Sequence, residues 1–325
     1  MPVSQSAVHL IDHLDRDHLR RALEHDVRTG LTASPKWLPP KWFYDARGSD
    51  LFTQITRLPE YYPTRRELAI LREWAGDIAA RASADTLIEL GSGTSEKTTL
   101  LLDALTAKGL TAYTPVDVDP VTLLDAAHRL AARYPALTVQ PVRADFEHHL
   151  AALPRPGRRM IAFLGGTIGN LPPGPREHFL TTLRSTLTPG DTFLLGADLV
   201  KDTSRLVAAY DDSAGVTAAF NRNVLHVVNH ELDADFTPED FDHIALYDEH
   251  NAWIEMRLRA TRPMTVPIRA LGLTVPFTTG EEMRTEISAK FHLHGLRAEL
   301  TAAGFTVDHC YTDPDGDFAL VLARA

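Results

Sequence analysis

Between residues 85 and 200, short apolar runs alternate with stretches of helical periodicity, and no other feature of the chain limits the fold as tightly. The runs Thr86–Leu90, Ala112–Val116, Thr138–Val142, Met160–Leu164 and Thr192–Ala197 are apolar on both faces. Strands of a parallel sheet with helices on either side must be. Glu96–Leu105 and Val121–Tyr134 read as covering helices, and Pro189-Gly190-Asp191 turns the chain into the fifth strand. The expected fold class is α/β, with a doubly wound sheet. With 325 residues, the chain is about twice the length of an ordinary domain, so more than this sheet must fold.

Outside that region the texture differs. Leu19, Leu23 and Val27 predict an amphipathic helix, with Gly30 as its C-cap. Residues 33–63, rich in Pro and aromatics, read as an irregular clamp, and Thr64 with Glu67 reads as a capping box before Leu68, Leu71, Ala75 and Ile78. After residue 200 come a helix through Leu206–Tyr210, a stretch without clear pattern, and the alternating strand Trp253–Ala260, which reads as part of an inserted antiparallel sheet. A helix at Leu296–Ala303 capped by Gly304 and a hairpin of Thr306–Tyr311 and Phe318–Leu322 return to the core. The expected division is 64–200 plus 287–325 for the core, and 1–63 plus 201–286 for a second, smaller α+β substrate-binding domain.

Several functions are disfavoured. A net charge of -10 argues against a phosphate-neutralising surface, so no nucleic acid is expected. The N-terminus is charged and no apolar run approaches ~20 residues, which predicts neither signal peptide nor membrane span. One cysteine, Cys310, forms no internal disulfide or Cys-rich zinc site, so the expected location is cytoplasmic and the thiol is expected to be buried. His148-His149, His226 with His230, and His292 with His294 lack a zinc motif, and no metal is expected. Trp37, Trp42 and Trp253 read as packing residues; Arg65-Arg66 and Arg158-Arg159 read as solvated or paired.

The chemistry lies at the strand ends. Gly91 and Gly93, after the first core strand, let the backbone turn sharply and approach a ligand. A dinucleotide fingerprint would need a third glycine where Glu96 stands, and a carboxylate there repels a pyrophosphate. A sulfonium cofactor needs no phosphate cradle, and Glu89 two residues before Gly91 completes the acidic-x-G-x-G pattern of S-adenosylmethionine methyltransferases. Glu89 is expected to meet the charged amino-acid end of that cofactor. Asp117, after the second strand, suits ribose hydroxyls; Asp145 and Phe146, after the third, suit the adenine amino group and ring face. The Gly-rich loop Phe163–Pro172 follows the fourth strand and should border the transferred methyl group, with Asn170 its notable polar side chain.

The strings PPKWFYDARGSDLF, LPEYYPTRRE, ELGSGTSEKT, FLGGTIGN, DLVKDTSRLVAAYDD, GVTAAFNRN and TEISAKF resemble the histidine Nα-methyltransferases of ergothioneine biosynthesis over nearly the whole chain. The resemblance implies a Rossmann-like class I methyltransferase that uses S-adenosyl-L-methionine, releases S-adenosyl-L-homocysteine, and trimethylates the α-amino nitrogen of free L-histidine to hercynine. Its partners would be histidine and the mono- and dimethylated forms, handled by a monomer. Cofactor contacts carry over to Tyr44, Gly91, Lys97, Asp117, Asp145 and Phe146, and substrate contacts to Phe52, Tyr61, Gly165, Thr167, Asn170, Tyr210, Met256, Glu286 and Ser288. Tyr44, Tyr61 and Asn170 are the residues expected at the reacting amine. Gly166 stands where the family pattern has Ser, and Ser95 where general methyltransferases have a third glycine.

By their chemistry, Asn170 and Tyr210 suit the substrate carboxylate, and Tyr61, Glu286 and Ser288 the ring nitrogens. Glu286 and Ser288 share a side only if 285–291 is extended, so a strand is predicted there. Two alternatives stay open: another amino acid or small amine as acceptor, or a module that senses the cofactor without turnover.

Overall fold

The computed structural model describes residues 8–15 and 17–325. The chain begins with β1 (Ile11–Asp12), α1 (His18–Thr32), β2 (Lys36–Trp37), α2 (Ala46–Ile55) and α3 (Pro63–Ala82). It continues through β3 (Thr86–Leu90), α4 (Thr98–Thr106), β4 (Ala112–Asp117), α5 (Pro120–Arg133), β5 (Thr138–Val139), β6 (Val142–Arg143), β7 (Arg159–Phe163), α6 (Pro173–Thr186) and β8 (Thr192–Asp198). After α7 (Thr203–Ala208) and α8 (Val216–Leu232) come β9 (Phe241–Asp248), β10 (Trp253–Ala260), β11 (Met264–Ile268), β12 (Leu273–Phe277) and β13 (Glu282–Ala289); α9 (Leu293–Ala302), β14 (Thr306–Thr312) and β15 (Phe318–Arg324) close the chain.

One sheet has the order β1-β6-β4-β3-β7-β8-β15-β14, with β5 beside β4. Its middle strands run parallel, and β15 lies antiparallel between β8 and β14. All five residues of β3 are buried, as the apolar run requires of a central strand covered on both faces. One face packs on Leu71 and Ile78 of α3 and Leu101 and Leu105 of α4; the other packs on Phe179 and Leu183 of α6 and Leu296 and Leu300 of α9. This is a Rossmann-like, doubly wound α/β core. The order reverses at β3, since the chain builds outward through β4 and β6 before returning to β7. Ligands in such sheets bind beyond the strand ends at that reversal.

A second sheet, β2-β13-β10-β9, draws strands from both the N-terminal arm and the stretch after residue 200. Leu23 and Val27 of α1, Phe220, Val224 and Val228 of α8, and Ile254, Met256 and Leu258 of β10 share its core. Strand β13 runs through the expected division between residues 286 and 287.

Four local readings are corrected. Gly30 lies inside α1, which ends at Ala33; a Cβ on it would come within 2.0 Å of the Trp37 carbonyl oxygen, so the glycine permits a close approach. Glu67 caps nothing: α3 starts at Pro63, whose fixed φ suits the first helical turn, and Glu67 is fully buried. The third core strand is split, because Pro141 has no N–H to continue the ladder. Cys310 is half-buried, with Arg297 3.9 Å from its Sγ. Helix α8, unread in the sequence, buries Asn221 against β9 and β10 and Asn223 against the turn at Phe43 and Asp45, and these buried polar residues mask the apolar periodicity.

Candidate active site

On the core-sheet side, the loop after β3 carries three residues in left-handed conformation, Gly91 (φ 63°), Gly93 (φ 49°) and Ser95 (φ 53°). A Cβ on Gly93 would meet no atom within 4 Å, and one on Gly91 only the Phe146 ring at 3.9 Å, so the loop is open above its backbone. Asp117, at the end of β4, accepts the Gly93 N–H at 2.9 Å through Oδ2 and the Val118 and Asp119 N–H groups through Oδ1. Burial nevertheless pushes its carboxyl above the ordinary value. Phe146 sits edge-on to Phe163 and Phe179 at 5.1 and 6.0 Å. Asp145 beside it accepts the Glu147 N–H, and His18 of α1 comes within 3.8 Å.

One expectation changes here. Glu89 faces inward, taking hydrogen bonds from Tyr113 (2.6 Å) and Thr98 (2.7 Å); burial first, moderated by these donors, puts its carboxyl at about 7. It anchors the loop and has no free edge toward a ligand. Lys97 donates to Glu67 Oε2 at 2.6 Å, while Glu67 Oε1 accepts the Gly165 N–H at 2.7 Å, so one buried carboxylate ties α3, the α4 start and the Gly-rich loop together. Gly165 and Gly166 are both left-handed (φ 79° and 72°); a Cβ on Gly166 would touch Phe318 at 3.6 Å. Thr167 donates to the Leu164 carbonyl.

The facing side is aromatic. Asp45 caps α2 by accepting the Gly48 N–H, and Asn223 of α8 donates to both Asp45 and the Phe43 carbonyl, which fixes the turn carrying Tyr44. The Tyr44 ring, 41% exposed, stands edge-on to Phe52 and Phe220; Phe52 in turn meets Tyr61, and Tyr61 meets Tyr210 at 6.4 Å. Arg65 holds the Tyr61 turn through the carbonyls of Leu58, Pro59 and Tyr61. Burial first, then Tyr210 and Glu286, raises the Tyr61 hydroxyl well above its ordinary range; burial and then Glu286 do the same for Tyr210. Both remain neutral phenols.

The predicted strand is present as β13, which puts Glu286 and Ser288 on one side and pairs Glu286 with the buried Met256 of β10. The two halves meet at Asn170. With its amide nitrogen facing the acceptors, it lies 3.3 Å from Glu286 Oε1 and 3.2 Å from the Ile287 carbonyl. Gly169 allows this contact: its Cβ would lie 2.8 Å from the Ala289 carbonyl oxygen. Tyr210 does not offer its hydrogen to a carboxylate here; it donates to Ser288 Oγ at 2.8 Å.

Behind Ser288 lies a network that the sequence reading missed. Buried Lys290 donates to Ser288 and Tyr210 and is ion-paired with Asp198, each at 2.9 Å, and Asp198 accepts from Tyr62 (2.8 Å) and Lys201 (2.6 Å). Its one signal was Asp198, a charged residue at the end of the apolar strand β8.

A family profile described as histidine-specific methyltransferase, SAM-dependent, matches residues 23–325. The chain belongs to that family. It is 58% identical over 97% of its length, and 98% of the relative's, to histidine N-alpha-methyltransferase of Mycolicibacterium smegmatis. To the protein of the same name from Mycobacterium tuberculosis it is 54% identical over 97% of its length and 99% of the relative's. Ergothioneine biosynthesis protein 1 of Schizosaccharomyces pombe is 32% identical over 69% of this chain and 31% of its own.

The residues fit the S-adenosylmethionine on which this family depends. The glycine loop is open where a ligand backbone must approach, Asp117 and Asp145 are acceptors at consecutive strand ends, and Phe146 supplies an apolar face. Asp313, Asp315 and Asp317 also cluster, but Arg66 and Arg205 neutralise them. No helix among the described residues is long and apolar enough to cross a membrane.

Proposed function

We propose that this protein methylates the α-amino nitrogen of free L-histidine three times to give hercynine, the first step of ergothioneine biosynthesis, as a cytoplasmic monomer needing no metal. The carrying observation is the pair Glu286 and Ser288 on one side of β13, beside Asn170 and the tyrosine cluster. A carboxylate and a hydroxyl together suit a ring with one N–H and one lone pair. When bound, S-adenosylmethionine supplies an electrophilic methyl on a sulfonium. The chain's own part is to hold the neutral amine in line and exclude competing geometries. Asp117, Asp145, Phe146 and the Gly91–Gly93 loop would hold the cofactor; Asn170 would orient the amino-acid end of the substrate. The edge-to-face cluster of Tyr44, Phe52 and Tyr61 supports a site whose rings would attract the cationic nitrogen that each transfer leaves.

The test is to incubate the purified protein with S-adenosylmethionine and each free amino acid, and to read products by mass spectrometry. Histidine should gain one, two and three methyl groups. Methylation of another amino acid in its place would reassign the acceptor, and no product with any would favour a cofactor sensor.

A further inference from the structure

Of the three groups that meet at Ser288 Oγ, only Lys290 has a donor role that cannot be reversed, since an ammonium has three hydrogens and no lone pair. Two are donated, to Ser288 Oγ and Tyr210 Oη, the ammonium is ion-paired with Asp198 Oδ2 at 2.9 Å, and the lysine side chain has no solvent exposure. Both hydroxyl oxygens therefore accept from lysine. Tyr210 then passes its own hydrogen to Ser288 Oγ at 2.8 Å. Ser288 receives two donors, and the one hydrogen of the group left unassigned is its own, on the side of β13 shared with Glu286.

We propose that Lys290 is a positioning residue: it fixes Ser288 as a hydrogen-bond donor toward the substrate, so the site selects a ring that carries an unprotonated nitrogen. This rests on the histidine reading. It means that the neutral imidazole is bound, its lone pair on Ser288 and its N–H on Glu286. With both lone pairs of Ser288 Oγ taken, by Lys290 and by Tyr210, the hydroxyl can only donate; without the lysine one lone pair is freed, and Ser288 offers an acceptor as readily as a donor. Asp198 keeps Tyr62 and Lys201 as partners in that case, so removal of Lys290 leaves no uncompensated carboxylate.

The experiment compares histidine with 3-(pyrrol-2-yl)alanine and 3-(pyrrol-3-yl)alanine, each of which keeps one N–H and has a C–H in place of the lone pair. Wild type should show a KM at least about tenfold lower for histidine than for the better analogue, the scale of one lost hydrogen bond that strands a buried donor. Lys290→Met should bring the two within about threefold by raising the histidine KM while kcat changes little. Tyr210→Phe removes the other donor to Ser288, frees a lone pair in the same way, and should narrow the ratio as well. A folded Lys290→Met protein with the wild-type ratio overturns the proposal; so does an unchanged ratio in Tyr210→Phe, which decides the matter if Lys290→Met does not fold. Wild type that leaves histidine unmethylated overturns the functional reading instead. Equal KM values for histidine and analogue in wild type overturn only the role of Lys290.

Discussion

Lys97 and Glu67 form an ion pair with 2.6 Å between Nζ and Oε2, in which the carboxylate is wholly buried and the ammonium one-quarter exposed. The second oxygen of Glu67 is also committed, to the Gly165 N–H. Gly196 makes room for it, because a Cβ there would lie 2.5 Å from Glu67 Oε1. Glu67 thus sets the distance between the cofactor loop and the substrate loop. Truncation leaves an unpaired lysine and an unbonded amide, and Glu67→Ala should lose about 3 kcal/mol of stability in urea titrations. It should also weaken S-adenosylhomocysteine binding at least about tenfold by calorimetry. Normal values for both would mean that the pair does not organise the site.

Gly30→Ala opposes two effects. In an exposed helix the change gains about 1 kcal/mol of propensity. Here the added methyl would meet the Trp37 carbonyl oxygen at 2.0 Å, and α1 would have to move off β2. Overpacking of this kind costs about 1–3 kcal/mol, so the variant should melt below wild type. A higher melting temperature would show that α1 and β2 separate freely.

These two residues also show where the sequence was misleading. Gly30 near a helix end and Glu67 three residues after Thr64 each match a local stop or start signal, yet Gly30 answers to the strand that follows its helix and Glu67 to Lys97 and Gly165, 30 and 98 positions on. The core strands were legible because burial on both faces leaves an unbroken apolar run. The strand under Glu286 and Ser288 was legible once the resemblance had named both, because alternate positions share a side only in an extended segment. The Lys290–Asp198 network was not, since pairing of two charges at the ends of different strands depends on sheet order, and β8 and β13 belong to different sheets. Asn223 was likewise hidden: its partners, Phe43 and Asp45, precede it by 180 and 178 positions.

Asp117 should dominate cofactor affinity. Three backbone N–H groups hold its carboxylate in place, yet burial raises its pKa, so the ionised group lacks part of the solvation it would have in water. Ligand hydroxyls would supply what is missing. Asp117→Ala should reduce S-adenosylhomocysteine affinity by about tenfold or more, as expected for hydrogen bonds to a charged acceptor. Unchanged binding in calorimetry would place the ribose elsewhere.

Glu286 links substrate recognition to stability through pH. Burial pushes its carboxyl up to about 7 from an ordinary 4.5, with Lys290 pulling the other way. A carboxyl whose folded pKa lies above its unfolded one destabilises the fold when ionised: the penalty is absent below pH 4.5, grows as pH rises toward 7, and is complete above it. Glu286→Gln keeps the shape and removes the charge. At pH 8 the ligand-free variant should therefore be more stable than wild type, by about 1–2 kcal/mol after allowance for the partly exposed carboxyl, and the gap should close by pH 5. The same variant loses the anionic acceptor for the ring N–H, and its histidine KM at pH 8 should rise about tenfold. Stability and affinity then move in opposite directions at one residue, as expected where a strained charge is retained for binding. Melting curves at pH 5 and pH 8, with KM from the same preparations, decide it. A variant less stable than wild type at pH 8 would show that Glu286 is stabilising in the free protein and that burial is not what sets its pKa.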